Sequence, residues 1–130
     1  NTIQQNLFIV QAELAGSADK AISEEKLRAV EKIVGDIEKE LPPIKSFFVS
    51  GGTEMAALFD IARTFARRAE RRVVAVVDAG DPSSAKATEG ERKMGEWSMA
   101  YLNRLSSILY ALARYSNHLA GVIEEPPTYK

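Results

Sequence analysis

Cysteine is absent from this sequence, so no disulfide, thiolate metal centre or cysteine nucleophile can be built from it. Histidine occurs once, at His118, too few for a histidine-rich metal site within one chain, and no metal ligand set is expected. Neither sign of charge is in surplus: 17 basic side chains face 18 acidic ones, for a formal net charge of −1. That balance excludes a general nucleic-acid binder, which needs excess cations to displace counterions from phosphates. It leaves room for a local basic pocket. No apolar run approaches the roughly 20 residues that cross a bilayer. The start lacks the basic segment and apolar core of a secretory signal. A cytoplasmic protein with neither nucleic acid nor membrane as partner is expected. The chain opens on Asn1 rather than Met, which points to a processed or incomplete N-terminus.

What is present is the profile of an ordinary globular protein: 130 residues, 45% hydrophobic and 27% charged, enough for one domain over 1–130 with a substantial core. Four stretches carry helical periodicity. Ile3, Leu7, Val10 and Leu14 recur at spacings of three and four, and Gly16 is placed to end that helix. A second helix starts after Ser23 as N-cap, with Glu24 and Glu25 suited to the positive end of the dipole. Leu27, Val30, Val34, Ile37 and Leu41 form its stripe, and Pro42-Pro43 stops it. Residues 44–53 read as an extended segment and a turn, with Thr53 as cap of the next helix. That helix carries Ala56, Phe59, Ala62, Ala66, Ala69, Val73 and Val76. The run Val73 to Val77 is β-branched enough for a strand, and both assignments stay open there. Residues 78–95 read as a polar connection rich in turn formers. The last helix runs from about Trp97 to about Leu119, with Leu102, Leu105, Leu109, Leu112 and Leu119 on one face. The pattern predicts an all-α antiparallel four/five-helix bundle.

The unusual segment is 63–72, where Arg63, Arg67, Arg68, Arg71 and Arg72 share ten positions with Glu70 and no lysine. On a helix, Arg63, Arg67, Glu70 and Arg71 fall on one face, while Arg68 and Arg72 project from another. One reading is a solvated face with internal Glu–Arg pairs. The sharper one is a triphosphate site. Arginine offers planar, bidentate recognition of phosphate oxygens, and crowded guanidinium groups are easier to tolerate around a polyanion. Glu70 would then orient an arginine or help position a magnesium ion through water. A nucleic-acid or nuclear-localisation patch is the third reading.

On the last helix, Asn103, Ser107, Tyr110 and Arg114 form a polar strip at the edge of the packed face, where an asparagine serves either as a structural hydrogen-bonder or as a ligand contact. In Ser46 to Gly52, Phe47 and Phe48 are core residues or, in a loop ending in two glycines, the lining of a large apolar ligand. Those glycines free N–H groups for an anion, but their spacing matches neither the P-loop nor the dinucleotide fingerprint. His118 suits a helix C-terminus, and Trp97 a core or an interface.

Five motifs stand together in one order: Ile-Gln-Gln-Asn-Leu-Phe from Ile3, Leu-Pro-Pro-Ile-Lys-Ser-Phe from Leu41, Ala-Arg-Thr-Phe-Ala-Arg-Arg-Ala-Glu-Arg-Arg-Val-Val from Ala62, Tyr-Leu-Asn-Arg-Leu-Ser from Tyr101 and Leu-Ala-Arg-Tyr-Ser-Asn from Leu112. Across residues 3 to 117 the sequence resembles the cobalamin adenosyltransferase family of the propanediol-utilisation type. That resemblance implies a trimer of helical bundles with sites between subunits. It implies ATP with Mg2+ and reduced cobalamin as substrates, and an activity that gives adenosylcobalamin and triphosphate. A corrinoid reductase and an adenosylcobalamin-dependent mutase would be partners. By the same resemblance Arg67, Arg68, Glu70 and Arg71 match the ATP-binding arginine motif, with Arg67 central to catalysis. Asn103 matches a nucleotide contact. Arg63 matches an arginine paired across the subunit interface with an acidic residue. Phe47 matches the aromatic near the corrin face that helps displace the lower axial ligand.

The family's Thr- and Gly-rich ATP loop, and the helix with Asp-Glu-Leu that follows it, have no counterpart in this sequence, so the chain is expected to be N-terminally short of a normal enzyme. The usual Leu-Pro-Gly-Gly turn reads Val49-Ser50-Gly51-Gly52, and the 78–95 connection is longer than in the family. Two other readings stand beside the enzyme: a non-catalytic nucleotide- or corrinoid-binding carrier or chaperone, and a structural helical oligomer whose arginines make intersubunit salt bridges.

Overall fold

The computed structural model describes residues 1–17, 19–79 and 94–128. Four helices follow one another: α1 (Thr2–Leu14), α2 (Glu24–Glu40), α3 (Glu54–Ala79) and α4 (Glu96–Leu119), with no strand among the described residues. Most of the connection expected over 78–95, residues 80–93, lies outside the described residues; Asp78 and Ala79 still belong to α3.

The helix ends follow from local chemistry. Gly16, just past α1, takes φ 97°, a conformation a side chain resists. Ser23 Oγ accepts from the Lys26 amide at 3.4 Å, capping α2, which stops before Pro42-Pro43. Thr53 Oγ1 accepts from the Ala56 amide at 3.1 Å at the head of α3. The open choice at Val73 to Val77 is settled as helix: α3 runs unbroken to Ala79, and Val73 packs against the core. Burial on a helical period outweighs β-branching there.

Cross-helix hydrogen bonds give the directions. Asn6 pairs with Tyr101 and Glu13 with Ser98, so α1 runs against α4. Glu31 meets Arg104 and Glu40 meets Tyr115, so α2 runs with it. Thr53 meets Asn117 and Glu70 meets Asn103, so α3 runs against it. The result is an up-down-up-down bundle in which α1, α2 and α3 all rest on α4. Its core gathers Val10, Ile22, Leu27, Val30, Ala66, Tyr101, Leu102, Leu105 and Ile108.

Because three helices surround it, α4 is buried on more than the expected leucine face. Ser98, Ser106, Ala111 and Ala113 are buried alongside Leu102 and Leu105, and these small side chains let neighbours approach closely. Leu119, by contrast, is 69% exposed. The expected apolar stripe of α3 also shifts. Ala66 is buried, but Ala69 and Val76 face outward with Leu58, Ile61 and Phe65. No helix among the described residues is long and apolar enough to cross a membrane.

Candidate active site

A groove of about 570 Å3 opens where the 44–51 segment, α3, α4 and the C-terminal tail meet. One wall is that segment, with Ile44, Phe47, Phe48 and Val49. The other is built from Arg63 and Arg67 of α3 and Ser106, Ser107, Tyr110 and Arg114 of α4. Four cationic side chains, Lys45, Arg63, Arg67 and Arg114, face two carboxylates, Asp60 and Glu124. An aromatic wall thus stands opposite a net cationic one, an arrangement that suits a large flat ligand lying against a polyanion.

Phe47 is 81% exposed, and the segment that carries it is fastened at both ends. Toward its C-terminal end, the Gly51 amide donates to Asp60 Oδ2 at 2.9 Å and the Gly51 carbonyl accepts from Asn117 Nδ2 at 2.8 Å. Asn117 Oδ1 in turn accepts from the Thr53 amide at 2.9 Å. Gly51 and Gly52 take φ of 105° and 102°, so this double-glycine turn needs residues without side chains. Toward its other end, Arg114 donates to the Pro42 carbonyl at 3.0 Å.

The expected site residues separate into three groups. Arg67 and Phe47 line the same groove, joined by Arg63, whose guanidinium lies 5.4 Å from the centroid of the Tyr110 ring. Burial pushes the Tyr110 phenol above its ordinary range, with Arg114 and Arg63 opposing, so it stays a neutral hydroxyl. Two turns further along α3, Glu70 Oε1 accepts from Asn103 Nδ2 at 2.7 Å. At 1.5 Å per residue, that pair stands about 10 Å from Arg63 along the helix. Arg68 and Arg71 share a shallow depression with Arg72 and Ala75 rather than the main groove. At 3.6 residues per turn Arg71 lies about 80° round the helix from Arg63 and about 60° from Arg68, so the expected face reaches from the groove to this depression.

Sequence reasoning missed Asp60, Asn117 and Glu124. Asp60 precedes Arg63 by three positions and Arg67 by seven, so the helical period already put it on the arginine face. Asn117 continues the 103, 107, 110, 114 strip by one further step of three. For Glu124, in an irregular tail, no periodic signal existed. Trp97 is 37% exposed near the start of α4, and His118 lies exposed in its last turn, as a C-terminal dipole partner would.

With this geometry in hand, comparison with known proteins is decisive about kinship. The family model for cobalamin adenosyltransferase matches residues 1–116, and the chain belongs to that family. It is 36% identical over 124 residues to the corrinoid adenosyltransferase of Bacillus subtilis, covering 93% of this chain and 58% of that protein. It is 37% identical over 122 residues to the corrinoid adenosyltransferase PduO of Citrobacter freundii, covering 89% of this chain and 33% of that protein. Among solved structures, a variant of the PduO-type ATP:corrinoid adenosyltransferase of Lactobacillus reuteri, complexed with cobalamin and ATP, superposes with a TM-score of 0.81. The two are 28% identical, over 98% of this chain and 65% of that one. The chain thus spans between a third and two thirds of the length of these relatives.

Proposed function

We propose that this chain carries the site of an ATP:corrinoid adenosyltransferase. Cobalt(I) of a reduced corrinoid attacks the 5′ carbon of ATP, the cobalt–carbon bond forms with the metal's electron pair, and the carbon–oxygen bond breaks with its pair leaving on triphosphate. The observation that carries this reading is the groove itself, where an exposed aromatic stands against paired arginines. Such a reaction asks no nucleophile of the protein. It asks that two reactants be held in line and that charge on the leaving triphosphate be stabilised.

In this reading Phe47 lies against the corrin face, and Arg67, with Arg63 beside it, faces the triphosphate. Glu70 and Asn103, already hydrogen-bonded, hold the nucleotide further along α3, and Arg68 and Arg71 extend the cationic surface. No group of three or more His, Asp or Glu side chains is gathered among the described residues. Magnesium enters this reading carried on ATP, since it keeps water and phosphate oxygens as ligands and asks only one or two carboxylates of a protein, a place Glu70 can take through water.

We further infer that the domain, 1–130, works in the cytoplasm as a homotrimer supplied by a corrinoid reductase and serving an adenosylcobalamin-dependent mutase. Support for self-association comes from α3, whose outward face exposes Leu58, Ile61 and Phe65 by 52, 54 and 64%. In a trimer Arg63 is the residue read as meeting an acidic partner from the next subunit.

The test is anaerobic formation of adenosylcobalamin from cobalt(I) cobalamin and ATP by protein from the complete gene. Product with release of intact triphosphate, lost in Arg67→Ala, is the expected result. A folded oligomer that binds ATP or corrinoid without forming product would replace the enzyme with a carrier.

A further inference from the structure

The tail beyond α4 has no regular structure, yet it is tied into the groove. Arg114 Nε donates to both oxygens of Glu124, at 3.1 and 2.9 Å, and the Glu125 carbonyl accepts from the Val49 amide at 2.9 Å. The same guanidinium reaches the Pro42 carbonyl through Nη2 at 3.0 Å and stacks 5.1 Å from the centroid of the Phe48 ring. One side chain of α4 therefore holds the start of the 42–50 segment, its second aromatic and the tail. Arg114 is only 4% exposed and the Glu124 side chain 16%. Burying such a pair has a desolvation cost that well-packed apolar residues would avoid, so its contribution is geometric more than energetic. A rigid planar fork can address a carboxylate, a carbonyl and a ring face at once, which neither an apolar side chain nor an ammonium does.

Phe47 sits between the Pro42 and Val49 anchors. With four fifths of its surface free, its ring has little packing of its own to hold it. Its position is set by the backbone on either side. The Gly51 end of that backbone is clamped by Asp60 and Asn117; the Pro42 end and the tail depend on Arg114.

We propose that Arg114 is a positioning residue for the corrinoid: it fastens the 42–50 segment and the 121–125 tail to α4 as one wall, and so presents Phe47 at a fixed place in the groove. This rests on the corrinoid reading of the groove given above. Arg114 touches neither reacting atom in this scheme and acts through Phe47 and its backbone. Corrinoid use should therefore suffer selectively, because Arg114 bonds to Pro42 and Glu124 on the Phe47 side, whereas the Glu70–Asn103 pair that faces ATP stands further along α3.

The experiment measures KM for cob(I)alamin and for ATP separately, anaerobically, on protein from the complete gene. Arg114→Lys retains a cation for Glu124 but lacks the fork that also reaches Pro42 and covers Phe48. We expect the cobalamin KM to rise about tenfold or more, with the ATP KM changed by less than about twofold. Equal rises in both, or a loss of rate that only follows the folded fraction with both KM values unchanged, overturns the proposal. Should Arg114→Lys fail to fold by circular dichroism, Phe48→Leu leaves the ion pair and removes only the stacked ring. A rise of about threefold in the cobalamin KM is then expected, and no rise overturns the proposal. Wild-type protein that forms no product disposes of the corrinoid reading itself and of Arg114 with it. Active wild type with an unaffected variant disposes of Arg114 alone.

Discussion

Replacing Gly52 by alanine separates two physical effects that usually arrive together. Gly51 and Gly52 share nearly the same φ, 105° and 102°, but their surroundings differ. A Cβ on Gly51 would meet nothing within 4 Å, whereas on Gly52 it would lie 2.5 Å from Asn117 Oδ1 and 2.8 Å from Cγ and Nδ2. Gly51→Ala thus reports backbone strain alone, about 1–3 kcal/mol. Gly52→Ala carries the same strain and must also move the Asn117 amide, which is buried and engaged with the Thr53 amide, the Thr53 hydroxyl and the Gly51 carbonyl. Those three bonds contribute about 1 kcal/mol each, so with about 2 kcal/mol of strain a total loss of about 5 kcal/mol is expected. At about 4 °C per kcal/mol for a chain of this size, Gly52→Ala should melt about 20 °C early and Gly51→Ala about 8 °C early. Gly35, inside α2 with open space around its Cβ position, supplies the opposite sign: Gly35→Ala should gain up to about 1 kcal/mol of helix propensity. Thermal melts by circular dichroism at one fixed protein concentration, without ligand, make the comparison, because self-association and binding both shift the midpoint. If Gly52→Ala melts with Gly51→Ala, the close approach of Asn117 is not a constraint, and the clamp drawn here for the Phe47 segment is wrong.

Asn103→Ala should raise the ATP KM about tenfold while leaving the oligomer intact on gel filtration; unaltered kinetics would remove the Glu70–Asn103 pair from the nucleotide site. Phe47→Ala should impair the reaction more when cobalt must be reduced on the protein than when cobalt(I) is supplied, and equal losses in the two assays would count against its place at the corrin face. Burial raises the Tyr101 phenol above its usual value, against the opposing hydrogen bond from Asn6. The folded chain then keeps a proton that the unfolded chain loses, so this contribution is present below about pH 10 and fades as pH rises further. Denaturant midpoints should fall between about pH 9 and about pH 11, less steeply in Tyr101→Phe, and an identical slope in that variant would refute the assignment.

The first three helices were legible because each begins or ends on a residue whose chemistry is local: Ser23, Thr53, Gly16 and Pro42-Pro43 act on the backbone within four positions of themselves. The standing of α4 at the centre was not legible. Periodicity picks out one apolar face, and a helix touched on three sides hides its other contacts in serines and alanines such as Ser98, Ser106 and Ala113. Val73 to Val77 stayed ambiguous because a β-branched run fits either element until a neighbour buries it. In the site, the chemical types of Arg67, Glu70 and Phe47 were visible, and the five motifs carried the family. Their meeting was not visible, since Asn117 joins Thr53 across 64 positions and Arg114 joins Pro42 across 72. Arg114 was visible only as the end of a polar strip and Glu124 only as an ordinary charge, because nothing local marks a pair that only the fold buries.

The dependence of α1, α2 and α3 on α4 has a consequence for how the chain comes off the ribosome. No core can close until the residues around Leu102, Leu105 and Ile108 have emerged, so the first three helices must wait with their apolar stripes uncovered. Native pairings such as Asn6 with Tyr101 span 95 positions, and these long loops close late and slowly. A product terminated before residue 96 would keep no partial bundle and would go to aggregation or to a protease. Early stops and late frameshifts should therefore be equally complete losses, although they leave very different lengths of chain.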